Sequence, residues 1–116
     1  MFNFERLDVW QKSVAYADLV YASTRSFPSE ERFGLTNQIR RAANSISSNI
    51  AEGSARPPAD FAKFLGYSAG SLYETLTQAI IARNQGFLTT ENYQTIYASA
   101  EEISRMLSGL RSSLDR

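Results

Sequence analysis

At 116 residues the chain has room for one domain with one core, and not for two comfortable ones. Twelve Lys and Arg balance twelve Asp and Glu, and 43% of the residues are hydrophobic, so it reads neither as a disordered polar segment nor as a charged tail. It has no cysteine and no histidine, which excludes disulfides, thiolate chemistry, the commonest metal ligand and the commonest general base.

The opening "MFNFERLDVWQKS" has no basic leader ahead of an apolar stretch, so no secretion signal is expected. From Leu7 the apolar positions Leu7, Trp10, Val14, Ala17 and Tyr21 step by three and four, widened by Val9, Tyr16, Leu19 and Val20. That period predicts a first helix over roughly 6–26. Phe27-Pro28-Ser29 ends it, because Pro28 disfavours helical geometry at Phe27. Ser29 is placed to cap a second helix over roughly 30–52, with Glu30 and Glu31 in its first turn. Leu35, Ile39, Ala42 or Ala43, Ile46 and Ile50 give its apolar stripe. Gly53 reads as its stop, since glycine adopts the left-handed C-terminal conformation cheaply.

Pro57-Pro58 forbids continuation, and Pro58 suits the first turn of a third helix over roughly 59–84. Its stripe is Phe61, Phe64 or Leu65, Ser68, Leu72, Leu76, and Ala79 or Ile80, ending near Asn84-Gln85-Gly86. Thr89 or Thr90 caps a fourth helix over roughly 90–113, carrying Tyr93, Ile96 or Tyr97, Ala100, Ile103, Leu107, Leu110 and Leu114. Four helices with short connections predict an all-α, antiparallel up-down-up-down four-helix bundle occupying residues 1–116 as one domain. No apolar run approaches the roughly 18–20 residues that span a bilayer, so the chain is expected to be soluble and cytoplasmic, without a membrane partner.

Helix two carries a second stripe beside its apolar one: Gln38, Arg41, Ser45, Ser48 or Asn49, and Glu52. Its side chains are mostly short, which lets another helix approach closely. Helix three answers with Gly66, Ala69, Gly70 and Ser71 in "LGYSAGS", where glycines cost about 0.5–1 kcal/mol each unless close packing requires them. If the two helices pair around 53–58, residues whose numbers sum to roughly 110–115 share a height. Arg41 or Gln38 is then expected to contact Glu74. Glu52 opposes the helix dipole and calls for a donor on another helix, on Arg56, or on another subunit. These extra faces predict a homo-oligomer interface built from Gln38, Arg41, Ser45, Asn49, Glu52, Gly70, Ser71 and Glu74. Phe2, Phe4, Tyr16 and Tyr73 fall outside the core pattern and add apolar surface of the kind interfaces use.

"LTNQIRRAANSISSNIAEGSAR" followed by "FLGYSAGSLYETLTQ" resembles the bacterial four-helix-bundle family labelled 23S rRNA-intervening sequence protein, or S23. The outer helices, "FERLDVWQKS" and "EEISRMLSGL", resemble it too, so the match covers nearly the whole chain. The matching positions are Gln38, Arg40, Arg41, Ser45, Asn49, Glu52, Gly53, Arg56, Gly70, Ser71 and Glu74. The resemblance implies rings, typically pentamers. The family label records genes found within ribosomal RNA genes, not a ribosomal role. A similar bundle in diversity-generating retroelements looks like a basic ring that binds nucleic acid and a reverse transcriptase, whereas this chain carries no net charge. One departure is "PPAD" at 57–60, where related sequences more often place Ser or Thr as the cap of the third helix, a role Asp60 is placed to take.

No enzyme and no cofactor is expected. Di-iron bundles need Glu-x-x-His pairs, which a histidine-free chain cannot supply. Neither GxxxxGK[ST] nor GxGxxG occurs, and no Ser-His arrangement can form. Glu52 and Glu74 read as structural carboxylates rather than as an acid and a base. Two non-catalytic functions follow. The first is an oligomeric interaction scaffold that meets copies of itself or another protein. The alternative is a nucleic-acid-binding protein, because five basic residues against two acidic ones lie between Arg32 and Lys63. Arg40, Arg56 and Lys63 are its candidate phosphate contacts.

Overall fold

Leu7 opens the first helix without a side-chain cap, and the chain winds through α1 (Asp8–Thr24) until Pro28 stops it. The computed structural model describes residues 1–115. Before α1 lies one 3-10 turn at Asn3–Arg6, and after it another at Ser29–Glu31. Then come α2 (Leu35–Ser54), α3 (Pro58–Asn84) and α4 (Thr90–Leu114). The described residues therefore form an all-α four-helix bundle in which each helix packs on its neighbours in sequence and α1 also meets α4. Its long axis of 45 Å, against 22 Å across, is the length of α3 plus its end loops at about 1.5 Å per residue.

Each boundary has a chemical cause, and three differ from expectation. The start of α2 comes five residues later than a cap at Ser29 would give. Ser29 instead joins a 3-10 turn, Gly34 takes the capping position, and the Glu31 carboxylate accepts from the Leu35 amide at 3.3 Å. Glu31 thus supplies both the acceptor and the negative charge that the helix N-terminus favours. Gly53 does not terminate α2. It lies inside the helix without a left-handed conformation, and a β-carbon there would sit 2.5 Å from Phe64 Cβ. Glycine is needed because α3 crosses at that point. Asp60 lies in the first turn of α3 without capping it; Pro57 and Pro58 open that helix.

Gly86 has the left-handed φ of +80° that ends α3. Its amide donates to Arg83 O (3.0 Å) and that of Phe87 to Ala82 O (2.9 Å), the paired bonds of a Schellman motif. Thr89 then caps α4, its hydroxyl accepting from the Asn92 amide at 3.1 Å.

The core runs along the bundle axis through Val20, Ile39, Ile46, Ile50, Leu65, Leu72, Ile96 and Ile103. Phe27 and Phe87 close one end with ring centroids 6.0 Å apart, and Phe4 packs edge-on to Trp10 at the other. Tyr16 corrects the expectation that placed it outside the core: it is wholly buried. Its hydroxyl reaches Thr75 Oγ1 at 2.7 Å, tying α1 to α3 across the bundle. Thr75 already donates to Leu72 O at 2.6 Å, so Tyr16 is the donor in this pair. Burial pushes the Tyr16 phenol up from 10.0 to about 12.

Candidate interaction surface

The hairpin of α2 and α3 sets the surface. The Ser68 hydroxyl donates to Ile46 O at 2.8 Å in the buried seam, which fixes the register of the two helices. Small residues line that seam, including Ala42, Ala43 and Ser68, and Gly53 near the turn. With the register so fixed, Gln38, Arg41 and Ser45 of α2 come to one groove with Glu74 of α3. Ala42 and Gln78 complete its lining, and its volume is about 510 Å³. Gln78 was not singled out by the sequence, although it lies one helical turn beyond Glu74 and so shares its face. It is only 8% exposed, and its Oε1 has no hydrogen-bond partner.

Glu74 and Arg41 share this groove but form no ion pair. Among the described residues the ion pairs are Lys12–Glu102 at 3.0 Å and Arg56–Glu52 at 3.7 Å. Both charged groups on the groove are exposed and lack an ionic partner among the described residues.

The remaining interface candidates lie elsewhere on the same hairpin. The small polar residues of α2 satisfy themselves along their own helix: Ser45 Oγ donates to Arg41 O (3.0 Å) and Asn49 Nδ2 to Ser45 O (2.8 Å). Glu52 meets Arg56, one of the three kinds of donor its position called for. Gly70 is exposed on α3 with nothing within 4 Å of a β-carbon built there, so no neighbour inside the chain demands a glycine. Ser71 follows it, half-buried. At Gly66, by contrast, an added β-carbon would sit 3.4 Å from the Arg111 guanidinium of α4. Tyr73 stands 58% exposed on α3, between shallow grooves shared with α4.

The candidate phosphate contacts divide. Arg40 Nε donates to Thr24 Oγ1 at 2.9 Å, and its guanidinium stacks 4.6 Å from the Tyr21 ring centroid. Arg56 holds Glu52 and stacks 4.8 Å from the Phe64 centroid. Lys63 is exposed and has no ion-pair partner among the described residues. Arg40 lies on the α1 side of α2, whereas Arg56 and Lys63 lie at the hairpin end, so the three do not form one patch.

Among the described residues no group of three or more Asp or Glu side chains is placed to hold a metal ion, and no helix is long and apolar enough to cross a membrane. Comparison with known proteins adds the following. The family model described as 23S rRNA-intervening sequence protein matches residues 5–109. A crystal structure from Bacteroides thetaiotaomicron VPI-5482, described as a protein of unknown function from the S23 ribosomal protein family, superposes with a TM-score of 0.80. The two chains are 25% identical, and the alignment covers 90% of this chain and 95% of that one. No curated protein matches the chain.

Proposed function

We propose, from the premise that this chain belongs to the 23S rRNA-intervening sequence protein family, that it is a non-catalytic, cytoplasmic interaction scaffold that assembles with copies of itself. One observation carries this reading. The register of α2 and α3 collects Gln38, Arg41, Ser45 and Glu74 on a single groove, where among the described residues neither charge is ion-paired and the buried Gln78 amide oxygen has no hydrogen-bond partner. Buried polar groups in stable proteins are almost always hydrogen-bonded, so an orphan beside an open groove supports a reading in which a partner completes it. Closure into a ring, typically a pentamer, is what family membership implies for the assembly. A ring repeats each surface and so presents a partner with several weak contacts at once.

The second reading, nucleic-acid binding through a basic patch, draws less support from the side chains. Two of its three candidate cations, Arg40 and Arg56, are already engaged within the chain. Phosphate affinity grows with the number of cations free to displace counterions, and of the three candidates only Lys63 has no partner among the described residues. One preparation separates the two. The protein is purified without nuclease, its absorbance is compared at 260 and 280 nm, and its mass is measured by light scattering. A clean oligomer supports the scaffold. A chain of 13.0 kDa at every concentration refutes it. Co-purified nucleic acid that high salt releases transfers the function to the second reading.

A further inference from the structure

We infer that the concavity between the end of α1 and the start of α2 is a phosphate site, in which Arg25, Arg32 and Arg40 hold the dianionic group of a phosphomonoester. It shares no lining residue with the α2–α3 groove and does not depend on assembly.

Three stretches of chain bring the cations together. Arg25 follows the last residue of α1, Pro28 turns the chain, and Arg32 follows the 3-10 turn at Ser29–Glu31. Arg40 comes from α2 and reaches back to α1. All three line one open concavity of about 260 Å³. None of them takes part in an ion pair among the described residues. Glu30 and Glu31 share the 3-10 turn, yet neither lines the concavity, and the Glu31 carboxylate accepts from the Leu35 amide.

Taken singly, two of these cations have ordinary explanations. Arg25 suits the negative end of the α1 dipole, and Arg40 donates to Tyr21 O at 3.4 Å at that same helix end. Together the three concentrate positive charge on a small surface of a chain with no net charge, and an anion relieves their repulsion. The hydrogen-bond partners of Arg40 are neutral, and the Tyr21 ring stacks on it, so its guanidinium is fixed in place without being neutralised. The rest of its donor fork is left for another acceptor, and phosphate oxygens match that fork. Thr36 also lines the concavity, and its buried hydroxyl has no hydrogen-bond partner among the described residues, which leaves a spare donor in the lining.

A phosphomonoester carries about −1.5 to −2 charge at neutral pH, which suits cations gathered at one point. A nucleic-acid strand is followed instead by cations strung along its backbone, and Arg56 and Lys63 at the hairpin end do not extend this cluster. Beside Arg32 stands Phe33, 87% exposed, with its ring centroid 5.9 Å from the guanidinium carbon. An open aromatic face next to a phosphate site suits a planar base, which favours a nucleoside monophosphate over free phosphate as the source.

Isothermal titration calorimetry and phosphorus NMR of the full chain at low salt test the site, with AMP, adenosine and inorganic phosphate as probes. AMP and phosphate are expected to bind saturably, and adenosine not to bind. R25Q and R32Q are each expected to weaken AMP by about tenfold or more, since each removes a charge-assisted hydrogen bond. Both residues are exposed, so circular dichroism is expected to show full helicity. R25K or R32K replaces a variant that loses it; these keep the charge without the fork, and a smaller loss of affinity is expected. K63Q is expected to bind like wild type. F33A separates the sources: a loss for AMP alone makes a nucleotide the ligand, and no loss for either probe makes it the free anion.

An absence of both heat and phosphorus shift with AMP and with phosphate overturns the proposal. K63Q weakening AMP as much as R32Q also overturns it, because the attraction then belongs to the overall charge. Adenosine binding as tightly as AMP does the same, because the phosphate is then not what is recognised. A single-stranded oligonucleotide without a terminal phosphate that displaces AMP, and is itself weakened in R32Q, gives the site to a nucleic-acid backbone instead. None of these results alters the scaffold reading, which rests on the measured mass.

Discussion

Tyr16 shows how one side chain can tie the bundle together. Its hydroxyl spans the core from α1 to Thr75 on α3, and both residues are wholly buried. Replacing Thr75 with Val leaves a buried phenol with no acceptor, which is expected to cost about 1–3 kcal/mol in a urea titration. Replacing Tyr16 with Phe removes the donor and leaves Thr75 bonded to Leu72, so about 1 kcal/mol or less is expected. The two variants therefore rank in a fixed order, and the reverse order would make Thr75 the donor. The phenol also sets an alkaline limit. Its pKa is raised by burial to about 12 in the folded chain against 10.0 when unfolded, so unfolding releases a proton between those values. Stability from this group is complete below pH 10 and is lost as pH rises toward 12. The slope is about 1.4 kcal/mol per pH unit. Chemical denaturation at pH 9, 10 and 11 is expected to show a shallower decline for Tyr16→Phe than for wild type. Parallel declines would mean that Tyr16 titrates no differently in the two states.

The helices themselves were largely legible from apolar spacing, because Ile39, Ile46 and Ile50, or Ile96, Ile103 and Leu107, can satisfy a single core only on one helical face. What spacing could not convey was how closely two helices approach. Gly53 looked like a terminator because glycine near a Pro-Pro pair commonly is one. The crossing of α3 at Phe64 is a tertiary fact that no local pattern carries. The start of α2 was misplaced for a similar reason: Ser29 and Glu31 are both credible caps, and only the turn geometry chooses between them. Tyr16 was missed because a phenol in a core is plausible only once Thr75 is known to stand opposite. The groove was half visible, since Glu74 was paired with Arg41 and Gln38 by register while Gln78 went unnoticed. The contrast between glycines makes an element-level test. Gly53→Ala drives a β-carbon to within 2.5 Å of Phe64 Cβ and is expected to destabilise by about 1–3 kcal/mol. Gly70→Ala meets open space in a helix interior and is expected to stabilise the isolated chain by about 0.5–1 kcal/mol. Thermal melts of the two read this directly, and equal losses would mean that Gly70 is held by a contact inside the chain.

At the scale of the whole molecule the question is what folded surface the chain leaves unfinished. Its isolated ion pairs are half-exposed and contribute little, so stability rests on the core and on whatever the surface meets. Beyond the polar groove, Phe33 is 87% exposed, and Tyr67, Tyr73, Ile81 and Tyr97 are also open to solvent. Scattered apolar residues are ordinary on a monomer, but exposed aromatic side chains on one face are what an interface employs. Assembly through folded surfaces has a thermodynamic consequence that does not depend on identifying the contacts. Any partner that binds only the folded chain raises its apparent stability by mass action, and in the proposed scaffold the partner is the protein itself. The melting temperature is therefore expected to rise with protein concentration. For a two-copy complex, each tenfold step adds about 1.4 kcal/mol, shared between the copies. In R41E the same series is expected to be flat, with the melting temperature of wild type at its most dilute. Calorimetry across a hundredfold range distinguishes the cases. A flat wild-type series would mean that the bundle draws none of its stability from its neighbours. A rise shared equally by R41E would move the interface away from the α2–α3 groove, toward the aromatic face of α3 and α4.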